Sequence, residues 1–275
     1  MTAGTDPIGV FDSGVGGLSV LRAMRELMPA EPLVYFADQA HVPYGSRPME
    51  QIQAFSESIT RFLLDRGSTL IVVACNTASA AALSYLRSKL PETSFVGMEP
   101  AVKPAAETTQ TGRVGVLATP ATFQGALYAS VVERFANGVE LLQHTCPGLV
   151  DQIEKGELDS SETRAILENA LLPMLEKNID TVVLGCTHYP FVIPLIQEIV
   201  GEGVRVIDPA PAVARQVRRV LEEGGMLNPS KFEGHTKYIT SGKVEGFDRI
   251  LGKLMNVKAQ AKAANWIGDH QVIVI

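Results

Sequence analysis

Leu70-Ile71-Val72-Val73-Ala74-Cys75-Asn76-Thr77 and its echo, Thr181-Val182-Val183-Leu184-Gly185-Cys186-Thr187-His188, decide how this chain is read. Each is an apolar, β-branched run of strand length that closes on a small residue, a cysteine and then hydroxyl or amide side chains. Each therefore reads as a strand that delivers a thiol. In an α/β sheet the carboxyl ends of parallel strands open onto the ligand crevice, so both cysteines fall where chemistry is usually done.

The surrounding sequence repeats as well. Val114-Gly-Val-Leu117-Ala-Thr-Pro120 answers Ile8-Gly-Val-Phe11-Asp-Ser-Gly14, and Val204-Arg-Val-Ile207-Asp-Pro209 answers the stretch from Phe95 to Pro100. The three strand-and-corner units recur in the same order at offsets of 106 (114 − 8), 111 (181 − 70) and 109 (204 − 95). Such recurrence marks an internal duplication of an α/β unit. The fold class expected is α/β: two pseudo-symmetric domains, each a mainly parallel sheet flanked by helices, with the active site in the cleft between them. The boundaries expected are 1–98 plus 209–260 for the first domain, 99–208 for the second, and 261–275 for a C-terminal tail. That tail holds the only tryptophan, Trp266, and carries no functional reading from sequence.

A chain of 275 residues is long enough for a large core or for two smaller ones. Its 24 basic and 30 acidic residues leave a formal charge of −6, without the basic patch that nucleic acid or an anionic membrane surface attracts. Three cysteines, Cys75, Cys146 and Cys186, make a disulfide framework improbable and point to a reducing cytosol. The first residues show neither the basic nor the apolar region of a signal peptide, and Gly, Pro or charges break every apolar run before a membrane-spanning length.

Asp12-Ser-Gly-Val-Gly-Gly17 joins the first strand to an apolar-periodic helix from Leu18. Its glycines permit close backbone approach, and the helix N-terminus offers N–H groups that suit a small carboxylate or phosphate. No dinucleotide register follows the strand. The Ala- and Leu-rich stretch Ala78 to Leu90 predicts a helix directly behind Cys75, and its macrodipole should favour the thiolate there. Cys146, before Pro147, reads as an ordinary buried thiol.

Several chemistries use thiols placed this way. Cys75, Cys186 and His188 would make three ligands of a catalytic zinc, although the chain lacks the close-spaced pairs zinc prefers. One cysteine with His188 as base would make a hydrolase or transferase, leaving the other thiol without a task. A redox dithiol would need Cα atoms within about 7 Å, with no room for substrate between them. A binder of a small acidic amino acid would need no reactive thiol. Two opposed and equivalent thiols best suit the transfer of a proton from one face of a carbon to the other, and internal pseudo-symmetry serves both mirror-related substrates.

Six ordered motifs carry a family resemblance over residues 8 to 242: Phe-Asp-Ser-Gly-Val-Gly-Gly (11–17), Val-Pro-Tyr-Gly (42–45), Ala-Cys-Asn-Thr-Ala (74–78), Ala-Thr-Pro-Ala-Thr (118–122), Cys-Pro…Glu (146–154) and Gly-Cys-Thr-His-Tyr-Pro (185–190). Together they resemble the motif set of the bacterial glutamate racemase family. The resemblance implies a cofactor-independent and metal-free isomerase that interconverts L- and D-glutamate, supplies D-glutamate to peptidoglycan, and works as a homodimer with two α/β domains around a closed site. By the same resemblance Cys75 and Cys186 match the acid/base thiols, Asp12 and His188 the residues that assist them, and Asp38 and Glu154 acids near the site. Ser13, Tyr44, Gly45, Asn76, Thr77 and Thr187 match positions that bind the amino acid, as do Asp12 and His188, and Thr119 and Thr122 a threonine pair lining the pocket. Relatives that racemise aspartate tend to carry glutamate where His188 stands, which favours glutamate as substrate.

Overall fold

In the computed structural model, residues 6–268 and 271–274 are described. The first repeat supplies β1 (Ile8–Asp12), α1 (Leu18–Leu27), β2 (Leu33–Ala37), α2 (Met49–Leu64), β3 (Leu70–Val73), α3 (Asn76–Lys89) and β4 (Ser94–Val96). The second supplies α4 (Val102–Thr108), β5 (Arg113–Ala118), α5 (Pro120–Gln124), α6 (Ala126–Phe135), β6 (Glu140–His144), α7 (Leu149–Lys155), α8 (Ser161–Glu176), β7 (Thr181–Gly185), α9 (Ile193–Val200) and β8 (Arg205–Ile207). The chain then forms α10 (Ala210–Glu223), β9 (Thr236–Thr240), α11 (Val244–Met255), β10 (Lys262–Ile267) and β11 (Gln271–Val274).

β1, β2, β3 and β7 are buried along their whole length, as strands without polar alternation must be when helices cover both faces of a parallel sheet. Pairing is parallel throughout except at β11. Within the first sheet four neighbours run β2-β1-β3-β4, and the second sheet runs β6-β5-β7-β8. The order is the same twice, which is the duplication read from the offsets. In each copy the chain steps to one side of its first strand and then to the other. A crevice therefore opens where β1 and β3 end, and another where β5 and β7 end.

The first sheet extends past β2 through β9, β10 and β11. β9 lies parallel to β2, with Tyr35 opposite Tyr238, and β10 lies parallel to β9. The segment set apart from sequence as a tail thus completes the first sheet, although Ile275, the last residue of its apolar end, lies outside the described residues. α3 starts at Asn76, two residues before the helix expected from sequence, because Cys75 is its N-cap.

One apolar cluster runs through both halves: Val10, Leu18 and Leu21 from the first pack continuously with Leu149, Ile153 and Leu184 from the second, and with Val217 of α10 and Leu251 of α11. A second cluster fills the space between the first sheet and α2 and α3, and a third lies under α4 and α6. The central cluster fixes the two sheets against each other, so their strand ends face one another. Among the described residues no helix is long and apolar enough to cross a membrane.

Candidate active site

The two crevices meet in one small cavity of about 20 Å³, room for one or two water molecules. From the first repeat it is lined by Ser13 after β1, Tyr44 and Gly45 of the 41–46 loop, and Cys75, Asn76 and Thr77 after β3. From the second it is lined by Thr119 after β5 and by Cys186, Thr187 and His188 after β7. Ser13 and Thr119 are equivalent in the duplication, as are Cys75 and Cys186. Ten of the fourteen residues singled out from sequence thus share one wall. Asp12, Asp38, Thr122 and Glu154 stand behind it and reach the cavity through Thr187, Tyr44, Thr119 and His188 in turn.

Cys75 caps α3 in an extended conformation, and its Sγ accepts the Ala78 N–H at 3.4 Å. The Ser13 hydroxyl lies 3.8 Å away. The helix end alone favours the sulfur as thiolate. Yet burial, and next the negative charge of Asp12, push the Cys75 thiol well above the ordinary range, while the Ala78 and Ser13 hydrogen bonds pull weakly the other way. Desolvation of a fully buried sulfur outweighs one helix terminus.

The second thiol has a cationic neighbour. Cys186 Sγ is 3.8 Å from His188 Nδ1, and His188 Nε2 is 2.6 Å from Glu154 Oε1. Burial disfavours a charged His188, but its contacts with Cys186 and Glu154 prevail and raise it well above an ordinary histidine. Burial likewise pushes Glu154 up, and the His188 hydrogen bond and charge, the Val15 N–H and the Gln39 amide bring it below the usual carboxylate range. The two shifts agree on one state: a buried imidazolium–carboxylate pair. Cys146 lies outside the cavity with its sulfur 3.5 Å from His144 Nδ1, and burial holds its thiol at about 12.

The glycine turn after β1 does not wait for an external anion. Asp12 Oδ2 accepts the N–H groups of Gly14 (3.1 Å) and Gly17 (3.0 Å), and Glu154 Oε1 accepts that of Val15 (2.7 Å). The chain's own carboxylates occupy the donors that sequence offered to a phosphate or a ligand carboxylate. Close approach explains two of the glycines: a Cβ on Gly14 would sit inside the Glu154 carboxylate, and one on Gly16 against the His188 ring. Asp12 itself is driven upward by burial, which the His188 charge and the two turn N–H groups only partly offset.

The rest of the wall is neutral and polar. Thr77 and Thr119 hydroxyls meet at 2.9 Å, one from each repeat, and Thr119 also contacts the Thr122 hydroxyl at 3.0 Å. Thr187 contributes its backbone oxygen to the Ser19 hydroxyl (3.0 Å). Asn76 is 3 % exposed, yet neither its amide nitrogen nor its oxygen has a partner among the described residues. An unsatisfied buried amide costs about 1–3 kcal/mol, so this side chain is set for a ligand with both acceptor and donor groups. Among the described residues no lysine or arginine lines the cavity. Three contributors escaped the sequence reading. Pro43 and Val150 line the wall, and Gln39 donates to Glu154 Oε2 at 2.9 Å. Gln39 directly follows Asp38 at the end of β2, and that position was the only signal for it.

Residues 8–217 match the family described as Asp/Glu/hydantoin racemase. A glutamate racemase of Roseiflexus sp. is 49 % identical over 249 residues, covering 90 % of this chain and 92 % of its own. The structure of glutamate racemase isoform RacE1 from Bacillus anthracis superposes with a TM-score of 0.84 at 31 % identity, over 97 % of this chain and 99 % of that one. That of the Francisella tularensis glutamate racemase in complex with D-glutamate gives 0.82 at 29 %, over 95 % and 97 %. With two matched strand ends each placing a cysteine on one cavity, and with the family's pattern running through both repeats, the chain belongs to the Asp/Glu/hydantoin racemase family.

Proposed function

We propose that this chain interconverts L- and D-glutamate without a cofactor, by proton transfer between Cα and two thiols, Cys75 and Cys186. The observation that carries the reading is that the two sulfurs come from equivalent strand ends of separate sheets and line the same small cavity. The names of its relatives and the D-glutamate in one of their structures support the substrate.

The reaction needs one thiolate to take the Cα proton, forming an S–H bond as the C–H bond breaks, and a thiol on the other face to give its proton to the carbanion. The roles are then exchanged for the return reaction. Burial holds Cys75 protonated, which prepares it as the donor, and the His188 cation stands beside Cys186. Asp12 and Glu154 act through others: Asp12 by its charge on Cys75, Glu154 by fixing His188. Hydroxyls of Ser13, Thr77, Thr119 and Thr187, with the Asn76 amide, suit the two carboxylates and the ammonium group. The absence of a fixed lysine or arginine from the wall leaves more of the binding energy for the charge that develops during transfer.

Glutamate does not fit a 20 Å³ cavity, so admission requires the repeats, 1–98 with 209–260 on one side and 99–208 on the other, or the 41–46 loop, to open and then close again. Closure excludes water from a carbanion that no cofactor stabilises. The product D-glutamate fits a role in peptidoglycan synthesis in the cytoplasm, with the protein acting as a homodimer.

The test is circular dichroism at fixed wavelength with L-glutamate and then with D-glutamate as substrate. Decay of either signal to zero supports the reading, and a constant signal identifies a binder instead. Cys75→Ser and Cys186→Ser should each abolish racemisation in both directions, because a serine alkoxide is inaccessible near neutral pH. Full activity in either variant overturns the two-thiol mechanism.

A further inference from the structure

Strand β10 takes no part in the chemistry above, yet one of its side chains is linked to the cavity through Asp38 and Tyr44. Trp266 Nε1 donates to Asp38 Oδ1 at 2.8 Å. Asp38 is fully buried and receives three more bonds: the Ser241 hydroxyl on Oδ1 (2.7 Å), and the Tyr44 hydroxyl (2.6 Å) and His41 Nδ1 (2.9 Å) on Oδ2. One carboxylate thus ties the end of β9 and strand β10 to the 41–46 loop. Aromatic rings reinforce the knot. His41 stacks on Phe55 at 3.8 Å between centroids, and Trp266 stands edge-on to both, at 4.8 Å and 5.3 Å.

The loop so held is the wall that touches the opposite repeat. Tyr44 and Gly45 line the cavity, and Gly45 lies so close to Thr119 that a Cβ there would come within 3.1 Å of the threonine Cβ. Every hydrogen bond that Asp38 accepts orients it. Each bond narrows the orientations open to the carboxylate, and without the Trp266 N–H its Oδ1 is held by the Ser241 hydroxyl alone.

We propose that Trp266 is a positioning residue for the reaction: it fixes Asp38, which holds Tyr44 and with it the 41–46 loop against the substrate cavity, so that strand β10 is part of the gate closing over the bound amino acid. The proposal rests on the racemase reading of the cavity. It assigns to β10 a task that packing alone does not require, because Trp266 is only partly buried against the apolar cluster it joins.

Trp266→Phe keeps an aromatic ring and removes the N–H donor, which makes it the informative variant. A positioning role predicts a KM for glutamate raised about fivefold, a kcat within about twofold of the parent, and a melting temperature within about 3 °C of it. Combined with Tyr44→Phe, it should lower kcat/KM no further than Tyr44→Phe alone, since both act through Asp38. Trp266 is the sole tryptophan, so its emission in the unmodified protein should change on saturation with glutamate as the loop closes.

Unchanged KM in Trp266→Phe, a fall in melting temperature as the only effect, or multiplicative losses in the double variant would each overturn the proposal. So would emission indifferent to glutamate in a protein that racemises it. If the unmodified protein fails to racemise glutamate at all, the functional reading falls first, and the emission change on binding still decides whether the strand and loop move together.

Discussion

Glu154 Oε1 lies 2.6 Å from His188 Nε2 and 2.7 Å from the Val15 nitrogen, so a single oxygen pairs with the imidazole beside Cys186 and anchors the glycine turn that follows β1. Chemistry in one half and backbone geometry in the other are joined at that atom. Glu154→Gln should therefore affect both. Removing one partner of a buried ion pair costs about 3–5 kcal/mol, and the loss should appear as a lower melting temperature together with impaired turnover.

The same pair has a defined pH range. His188 is raised above its ordinary 6.5, so its contribution is complete below that value and fades as pH rises through the raised one. Glu154 is lowered from its ordinary 4.5, so its contribution is complete above 4.5 and fades as pH falls through the lowered value. Melting temperature against pH should show a plateau between these limits in the parent and lose it in Glu154→Gln. Parallel curves for the two proteins would contradict the pairing.

Gly14→Ala and Gly16→Ala should be far more harmful than alanine in an ordinary surface turn. The added methyl group displaces Glu154 in the first case and the His188 ring in the second. Overpacking of this kind costs about 1–3 kcal/mol, and chemical denaturation measures it. Racemase activity should fall by more than the folded fraction does, because the displaced groups serve the Cys186 side of the cavity.

Thr119→Val keeps the shape and removes the hydroxyl that meets Thr77 at 2.9 Å and Thr122 at 3.0 Å. A lost hydrogen bond worth about 1.4 kcal/mol corresponds to a KM raised about tenfold. Steady-state kinetics in both directions should show that rise, with kcat much less affected. A variant with unaltered KM would remove the threonine pair from the binding wall.

Cys146→Ala serves as the control thiol. Cys146 lies in the core cluster and does not line the cavity. The variant should retain its turnover per folded molecule and lose about 1 kcal/mol of stability. With burial holding its thiol at about 12, Cys146 should also resist iodoacetamide at neutral pH in the native protein and react after unfolding. Loss of turnover without loss of folded protein would reopen the assignment of the reactive pair.

The sequence was most legible where the signal was local. β3 and β7 announce themselves as β-branched runs, and the matching position of a cysteine at the end of each anticipates both the repeated strand order and the shared cavity. It was least legible where a residue's meaning depends on a distant partner. Nothing near Asp12-Ser-Gly-Val-Gly-Gly17 shows that its free N–H groups are taken by Asp12 and by Glu154, a carboxylate 139 residues from Val15. The thiolate expected at Cys75 followed from the helix behind it, whereas burial, which only the assembled fold defines, dominates there. β6 (Glu140–His144) escaped notice because an edge strand that is half-exposed carries no alternation, and β10 because its pairing with β9 is set by the sheet it joins.

The apolar cluster that runs from Val10 and Leu18 to Leu149 and Leu184 has a consequence for how the protein comes apart. Neither half owns a complete interior, and excising one would leave a greasy wall facing solvent on the other. Heat or urea should melt the whole molecule in a single cooperative step, and a fragment carrying one sheet alone should remain unstructured or clump. The two halves, sharing this interior, should open for substrate only by a small rocking about it rather than by coming apart.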